Sequence, residues 1–219
     1  MAEVIEGYAA VFYREGDKHT EFELMDGLME RIKPDAFNSA LARGDDCIAC
    51  VNHNHDLIFA RTSNGTNVLN VDATGLHYRA TPPDTQFGRD LLVQMERGDF
   101  TRSSFAFIPV YDFDERGDGP DIAWITDITR LYDTSPVAFP AYTGTVTAAR
   151  AATRFNMPTQ YPQNVAIRMR SADGSGEIPA GYVGDVFEQY RAWKDGKITE
   201  RKAEAATRDA QVRLAQLNR

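Results

Sequence analysis

Short runs of β-branched and aromatic residues, punctuated by turn pairs, constrain this chain to a sheet-dominated fold. Val4 to Tyr13 is rich in such residues, and Glu21-Phe22-Glu23-Leu24-Met25 alternates polar with apolar, the period of a strand with one wet face. Further strands are expected at Ile48 to His53, Asn67 to Val71 and Leu76 to Ala80. The turn signals Asn64-Gly65 and Thr74-Gly75 divide them, which predicts hairpins. Ser104 to Val110 and Ile122 to Tyr132 read as two more strands, joined by the acidic, glycine-rich segment Asp112 to Asp121. Two helices interrupt the pattern. Pro34 to Gly44 has proline in its first turn, apolar Phe37 and Leu41, and a terminal glycine. A second helix starts from a cap at Asp84 or Thr85, carries the stripe Phe87, Leu91, Leu92 and Met95, and stops at Gly98. The class is therefore α/β (α+β), mainly antiparallel sheet with flanking helices.

The pattern changes after Thr145. Ala148 to Ala152 is alanine-rich, and Arg154 to Gly184 mixes Pro, Gln, Ser and Gly without a period. From Asp185 helix formers return, with Ala203, Ala206, Ala210, Leu214 and Leu217 at three- and four-residue steps. The organisation read from this is a domain over 1–147, a weakly ordered linker over 148–184 and a helical tail over 185–219. The tail's stripe suits packing on its own domain, pairing with a copy of itself, or a partner.

Composition excludes several function classes. A net charge of −8 argues against general nucleic-acid binding, which needs clustered Lys and Arg. No apolar run reaches the roughly 20 residues of a membrane span, and Met1-Ala2-Glu3 lacks a secretion signal's basic-then-apolar pattern, so a cytoplasmic protein is expected. Two cysteines cannot staple a fold of 219 residues, and reduced thiols are expected. Cys47-x-x-Cys50-x-x-His53-x-His55 does supply four zinc-competent side chains. A strand, however, sends residues three apart to opposite faces, so Cys47 and Cys50 should point away from each other. No metal and no cofactor is assigned. The letters His53-Asn54-His55 also spell a nuclease motif, but that motif's residues are dispersed through a ββα unit.

The remaining chemistry lies in serine and histidine. A serine becomes a nucleophile only when a base takes its proton, and imidazole can accept and return it near neutral pH. Residue types alone do not single out a pair. An ordered series does: Asn52-His53, Arg61-Thr62, Asp72 to Gly75-Leu76, Gly88-Arg89-Asp90, Ser104-Phe105-Ala106-Phe107, then Leu131-Tyr132-Asp133-Thr134-Ser135-Pro136-Val137 with Pro140-Ala141-Tyr142. This series, covering about Gly7 to Thr145, resembles the prohead maturation proteases of tailed bacteriophages, a family distantly related to the herpesvirus assemblins.

The resemblance implies His53 as the base, because its spacing to Arg61 matches the family's, whereas His55 falls two positions late. Strand periodicity leaves both on one face. His55 is then a surface or neighbouring residue, and His19 and His77 are structural. Ser104 aligns with the family's serine before Phe-Gly-Phe. On a strand Ser103 faces the other way, and Phe105 and Phe107 share the face opposite Ser104. Asp133 occupies the acidic position of the family's Leu-x-Glu-x-Ser-x-Val segment, one methylene shorter here; the assemblins use a second histidine instead. Ala60 and Ala106 also stand where family members commonly carry glycine. Asp127 is the alternative carboxylate, and Asp56 suits a turn. Oxyanion donors would be backbone amides, which leave no sequence signature.

The resemblance further implies a closed or nearly closed barrel and a serine endopeptidase that cleaves capsid and scaffold segments. Its partners would be the major capsid protein with its scaffold segment and, through self-cleavage, itself, inside the assembling prohead in the host cytoplasm. Neither nucleic acid nor membrane is expected as a partner. High local concentration would make strong substrate binding unnecessary. Two rivals stand beside this: a non-enzymatic capsid-assembly protein retaining the fold, and a metal-dependent hydrolase using Cys47, Cys50, His53 and His55.

Overall fold

The computed structural model describes residues 3–138, the backbone of 147–151, and residues 186–197 with 199. The chain divides into two units, Met1–Pro179 and Ala180–Arg219. In the second, residues 186–197 are helical, and Tyr190 stacks on Trp193 with ring centroids 5.8 Å apart. The expected stripe from Ala203 to Leu217 and most of the expected linker lie outside the described residues.

The first unit runs β1 (Glu3–Val11), β2 (Glu21–Met25), β3 (Leu28–Ile32), α1 (Asn38–Arg43), β4 (Ile48–Val51), β5 (Asn54–Arg61), β6 (Asn67–Val71) and β7 (Gly75–Ala80). It continues with α2 (Gln86–Glu96), β8 (Arg102–Asp114), β9 (Asp121–Val137) and β10 (Thr147–Ala151). One sheet has the order β10-β1-β7-β6. Gly75 lets β7 approach β1 closely, since a Cβ there would lie 2.1 Å from the Ala10 carbonyl oxygen. The expected boundary at 147 falls inside this sheet's reach, because the backbone of Thr147–Ala151 pairs with β1 from Gly7 to Glu3.

The other sheet is built on β9. Along one edge β9 pairs with β8 over nearly its whole length, from Ile122↔Asp114 to Val137↔Arg102. It also takes two partners in succession, β3 in parallel at 121–125 and β4 in parallel at Ile48↔Asp133 and Ala49↔Thr134. Of the eight ladders among the described residues, six are antiparallel, as the alternating runs and hairpin signals predict. The expected barrel is not present. A barrel needs every strand to hold two continuous neighbours, whereas β9 divides its pairing among β3, β4 and β8. No ladder among the described residues joins the two sheets.

A single apolar core joins both sheets and both helices. Ile5, Leu76 and Tyr78 from one sheet join Phe105, Ile125, Ile128 and Leu131 from the other in this cluster, together with Phe37, Leu91 and Met95. Thr85 caps α2, its side chain accepting from the Gly88 amide at 3.3 Å, and Gly44 ends α1 in the left-handed conformation. Phe105 and Phe107 stack at 4.1 Å and Phe105 meets Phe37 edge-on at 5.4 Å, which fixes the rotation of β8 about its axis.

Candidate active site

His53 does not extend a strand. Val51 pairs with Asn54, so Asn52 and His53 are the central residues of a two-residue hairpin turn, with φ of 52° and 56°. Positive φ at both positions is what such a turn requires, and Asn and His tolerate it better than most L residues. The turn is tied to the end of β9: the Asn52 amide donates to the Pro136 carbonyl at 3.0 Å, and the Ala138 amide to Asn52 Oδ1 at 2.9 Å. This corrects the expected strand through His53. The turn also separates two histidines that strand periodicity could not: the His53 side chain is 12% exposed and that of His55 51%.

Both histidines reach Asp133, which is fully buried on β9. His53 Nδ1 lies 2.7 Å from Asp133 Oδ1, and His55 Nε2 lies 3.3 Å from Oδ2. Ser135, two residues along and so on the same face, donates to Oδ1 at 2.9 Å. Burial pushes the Asp133 carboxyl up, but the charge and hydrogen bond of His53, with the bonds from His55 and Ser135, outweigh it and hold it at about 2. The carboxylate is thus ionised at neutral pH despite its burial. Its hydrogen bond to His55 raises that imidazole's pKa, helped by the nearby charges of Asp133 and Asp56 against some burial.

Across the ladder, Ser104 pairs with Ser135 and Ala106 with Asp133. Directly paired residues share a face, so the Ser104 side chain is on the side of Asp133. Ser103 is on the other, where its hydroxyl is 2.8 Å from that of Tyr78. Three buried side-chain polar atoms lack a hydrogen-bond partner among the described residues: His53 Nε2, Ser104 Oγ and Asn67 Oδ1. Asn67 belongs elsewhere. Its Nδ2 donates to Thr134 Oγ1 at 3.3 Å, and it lines a cavity of about 360 Å³ with Leu41, Leu69 and Leu131.

The other candidates separate from this group. Asp127 accepts from Ser39 Oγ and from the Ile128 amide. Six residues of strand put it about 20 Å from Asp133. Asn54 Oδ1 accepts from the Asp56 amide in a local turn, as expected for that residue. His77 packs edge-on against Tyr8 on the first sheet, and Asp17 accepts from the amide of His19. The cysteines face apart, as strand geometry predicts: Cys47 joins the apolar core, while Cys50 Sγ lies 3.1 Å from Ser135 Oγ. Burial, then the Asp133 charge, pushes the Cys50 thiol up. Of the four side chains in the Cys/His metal reading, Cys50 and His55 cluster with Asp133, and Cys47 and His53 are not in that cluster. Sequence reading overlooked Ser135 and the proximity of Cys50 to it. The first could have been found from the two-residue step to Asp133.

A buried histidine–carboxylate pair and an unpartnered serine on the same face of the sheet suit acyl transfer through a serine. The chain matches the sequence model of the caudovirus prohead serine protease family over residues 1–159, and it belongs to that family. Among solved structures it is similar to the varicella-zoster virus protease, at 15% identity and a TM-score of 0.41 over 69% of this chain and 65% of that one. The KSHV protease in complex with a hexapeptide phosphonate inhibitor matches at 10% identity and a TM-score of 0.41, over 69% and 66% of the two chains. The chain thus spans a little under two thirds of the length of either. No curated protein matches it.

Proposed function

We propose that the protein is a Ser-His-Asp endopeptidase that cleaves capsid and scaffold segments during prohead maturation, and its own chain as well. Ser104 Oγ is the nucleophile. His53 Nε2 takes its proton and returns it to the leaving amine, while Asp133 holds the proton on Nδ1 and offsets the imidazolium charge. The observation that carries this is the pair of unpartnered atoms. An unpartnered buried polar group costs roughly 1–3 kcal/mol, and two of the three are the hydroxyl and the ring nitrogen that this reaction requires. The backbone supports the same roles, since the His53 turn is tied to the end of β9 and Ser104 and Asp133 sit on paired strands. The major capsid protein with its scaffold segment is the proposed substrate, met inside the assembling head in the host cytoplasm. The proposed self-cleavage region, between about 145 and 184, lies almost wholly outside the described residues.

Co-expression with the capsid protein and intact-mass measurement tests the proposal. Wild type should process the capsid protein and lose its own tail, with both products absent for Ser104→Ala. Loss of a triad nucleophile typically lowers turnover by a factor on the order of 10⁶. Ser103→Ala, on the opposite face, should still process. Processing that survives Ser104→Ala would overturn the assignment, and a tail lost equally from both forms would overturn self-cleavage.

A further inference from the structure

Neither Cys50 nor His55 reacts in the mechanism above, yet both reach the carboxylate it depends on. Cys50 Sγ, a ring nitrogen of His55 and a carboxylate oxygen of Asp133 lie within 4.8 Å of one another. His55 Nε2 and Asp133 Oδ2 are 3.3 Å apart. Two nitrogen or oxygen ligands held about 2.0–2.1 Å from a tetrahedral zinc ion are separated by about 3.3–3.4 Å. That pair therefore already has the bite of a zinc site. With a zinc–thiolate bond of about 2.3 Å the sulfur should lie about 3.6 Å from either ligand, so the three ligand atoms, now within 4.8 Å of one another, have to close by roughly 1 Å. One thiolate, one imidazole and one carboxylate suit zinc and not magnesium or calcium, which prefer all-oxygen shells. The 51% exposure of the His55 side chain gives an ion a way in, and water a fourth position.

We propose that Cys50, His55 and Asp133 form an inhibitory zinc site, in which Zn²⁺ on Cys50 Sγ, His55 Nε2 and Asp133 Oδ2 suspends proteolysis by engaging the carboxylate that His53 needs. The consequence for catalysis rests on the assignment of Asp133 as the partner of His53. Binding displaces the Cys50 proton to water, and the charge of the ion stabilises the thiolate that burial would otherwise forbid. His55 gives up the Nε2 proton that it donates to Asp133, which passes to water while Nδ1 keeps or takes up the ring's remaining proton, and the freed Nε2 lone pair bonds the metal. The carboxylate keeps its contact with His53 Nδ1, but its negative charge is spent on the ion. With thiolate and carboxylate both bound, the site beside His53 is net neutral where it had been negative, so the imidazolium loses its countercharge and His53 can no longer hold the proton of Ser104.

The test uses the full-length protein, stripped with a chelator and titrated with Co²⁺, whose thiolate charge-transfer band reports sulfur ligation. Zn²⁺ then serves as competitor and inhibitor. One equivalent should bind with a charge-transfer band that Zn²⁺ abolishes. Cys50→Ser should lose the band, and His55→Gln, an exposed position that leaves the core intact, should weaken binding at least tenfold. Proteolysis should fall about elevenfold at free Zn²⁺ ten times its Kd, recover with chelator, and become insensitive to zinc in Cys50→Ser. A band retained in Cys50→Ser, no binding by millimolar Co²⁺, or proteolysis unchanged or stimulated under saturating Zn²⁺ would each overturn the proposal. If the metal-free protein cleaves nothing yet binds Co²⁺ through Cys50, the metal site stands and the protease assignment falls.

Discussion

Asp133→Asn measures what the carboxylate does for His53, and Ser135 sets the size of the effect. An amide has one accepting and one donating end. In the native site Oδ1 accepts from Ser135 at 2.9 Å and faces His53 Nδ1 at 2.7 Å. Burial keeps the Cys50 thiol protonated, so it can donate to Ser135 Oγ and leave the serine's own proton for residue 133. That proton selects the amide orientation with its carbonyl toward His53 and its NH₂ toward His55. His53 then retains its proton on Nδ1 and its basic Nε2, and only the charge is lost. A carboxylate and an imidazolium about 4 Å apart attract by about 4 kcal/mol at an effective dielectric of 20. A neutral hydrogen bond recovers about 1 kcal/mol of that. The remaining ~3 kcal/mol predicts a fall in kcat of about 10²-fold. Adding Ser135→Ala removes the selector, lets the NH₂ face Nδ1 and inverts the tautomer, and the fall should reach about 10⁴-fold. Single-turnover cleavage gives the rates, and the ¹⁵N shifts of His53 give the tautomer. A wild-type rate in Asp133→Asn would remove Asp133 from the site, and equal rates in the single and double variants would refute the role given to Ser135.

Two further outcomes are expected. His53→Ala should be inactive, whereas His55→Ala, which removes one hydrogen bond to the outer oxygen of Asp133, should lose less than about tenfold; the reverse order in a cleavage assay would exchange their roles. Because Asp133 is held at about 2 in the fold, below its ordinary 3.8, its ionised form stabilises the protein above about pH 4, and that contribution, on the order of 2 kcal/mol, is lost as pH falls through about 2. Urea midpoints should therefore drop across that window in wild type and much less in Asp133→Asn, and identical slopes would contradict the assigned pairing.

Most of the strands were legible because runs of β-branched and aromatic residues end in turn pairs, with alternation where one face is wet, as at Asn67 to Val71 before Thr74-Gly75. That Ser103 and Ser104 face opposite sides was legible from the period of two, while the choice of Ser104 rested on the family resemblance. The site's other half was hidden. Asn-His is not a usual hairpin signature, so His53 read as the end of a strand and not as the second residue of a turn. Asp26-Gly27, with φ of 79° at the glycine, is the signature that announces β3, and it could have been used. The alanine-rich Thr147–Ala151 has little strand propensity of its own, and its pairing with β1 is a tertiary effect. A closed barrel could not be told from a branched sheet, because the sharing of β9 among three strands leaves no mark in any one segment.

The left-handed conformation of His53 is strain that its pairing with Asp133 outweighs. An L residue gives up roughly 1–2 kcal/mol there, and glycine does not. His53→Gly would relieve that strain but strip the buried Asp133 carboxylate of its closest partner, a loss of roughly 3–5 kcal/mol, so the variant should melt below wild type. Selection for heat resistance would therefore keep a histidine at this turn whatever part it plays in cleavage. Thermostabilisation of this protein has to be sought away from the hairpin tip, with cleavage activity screened alongside melting temperature.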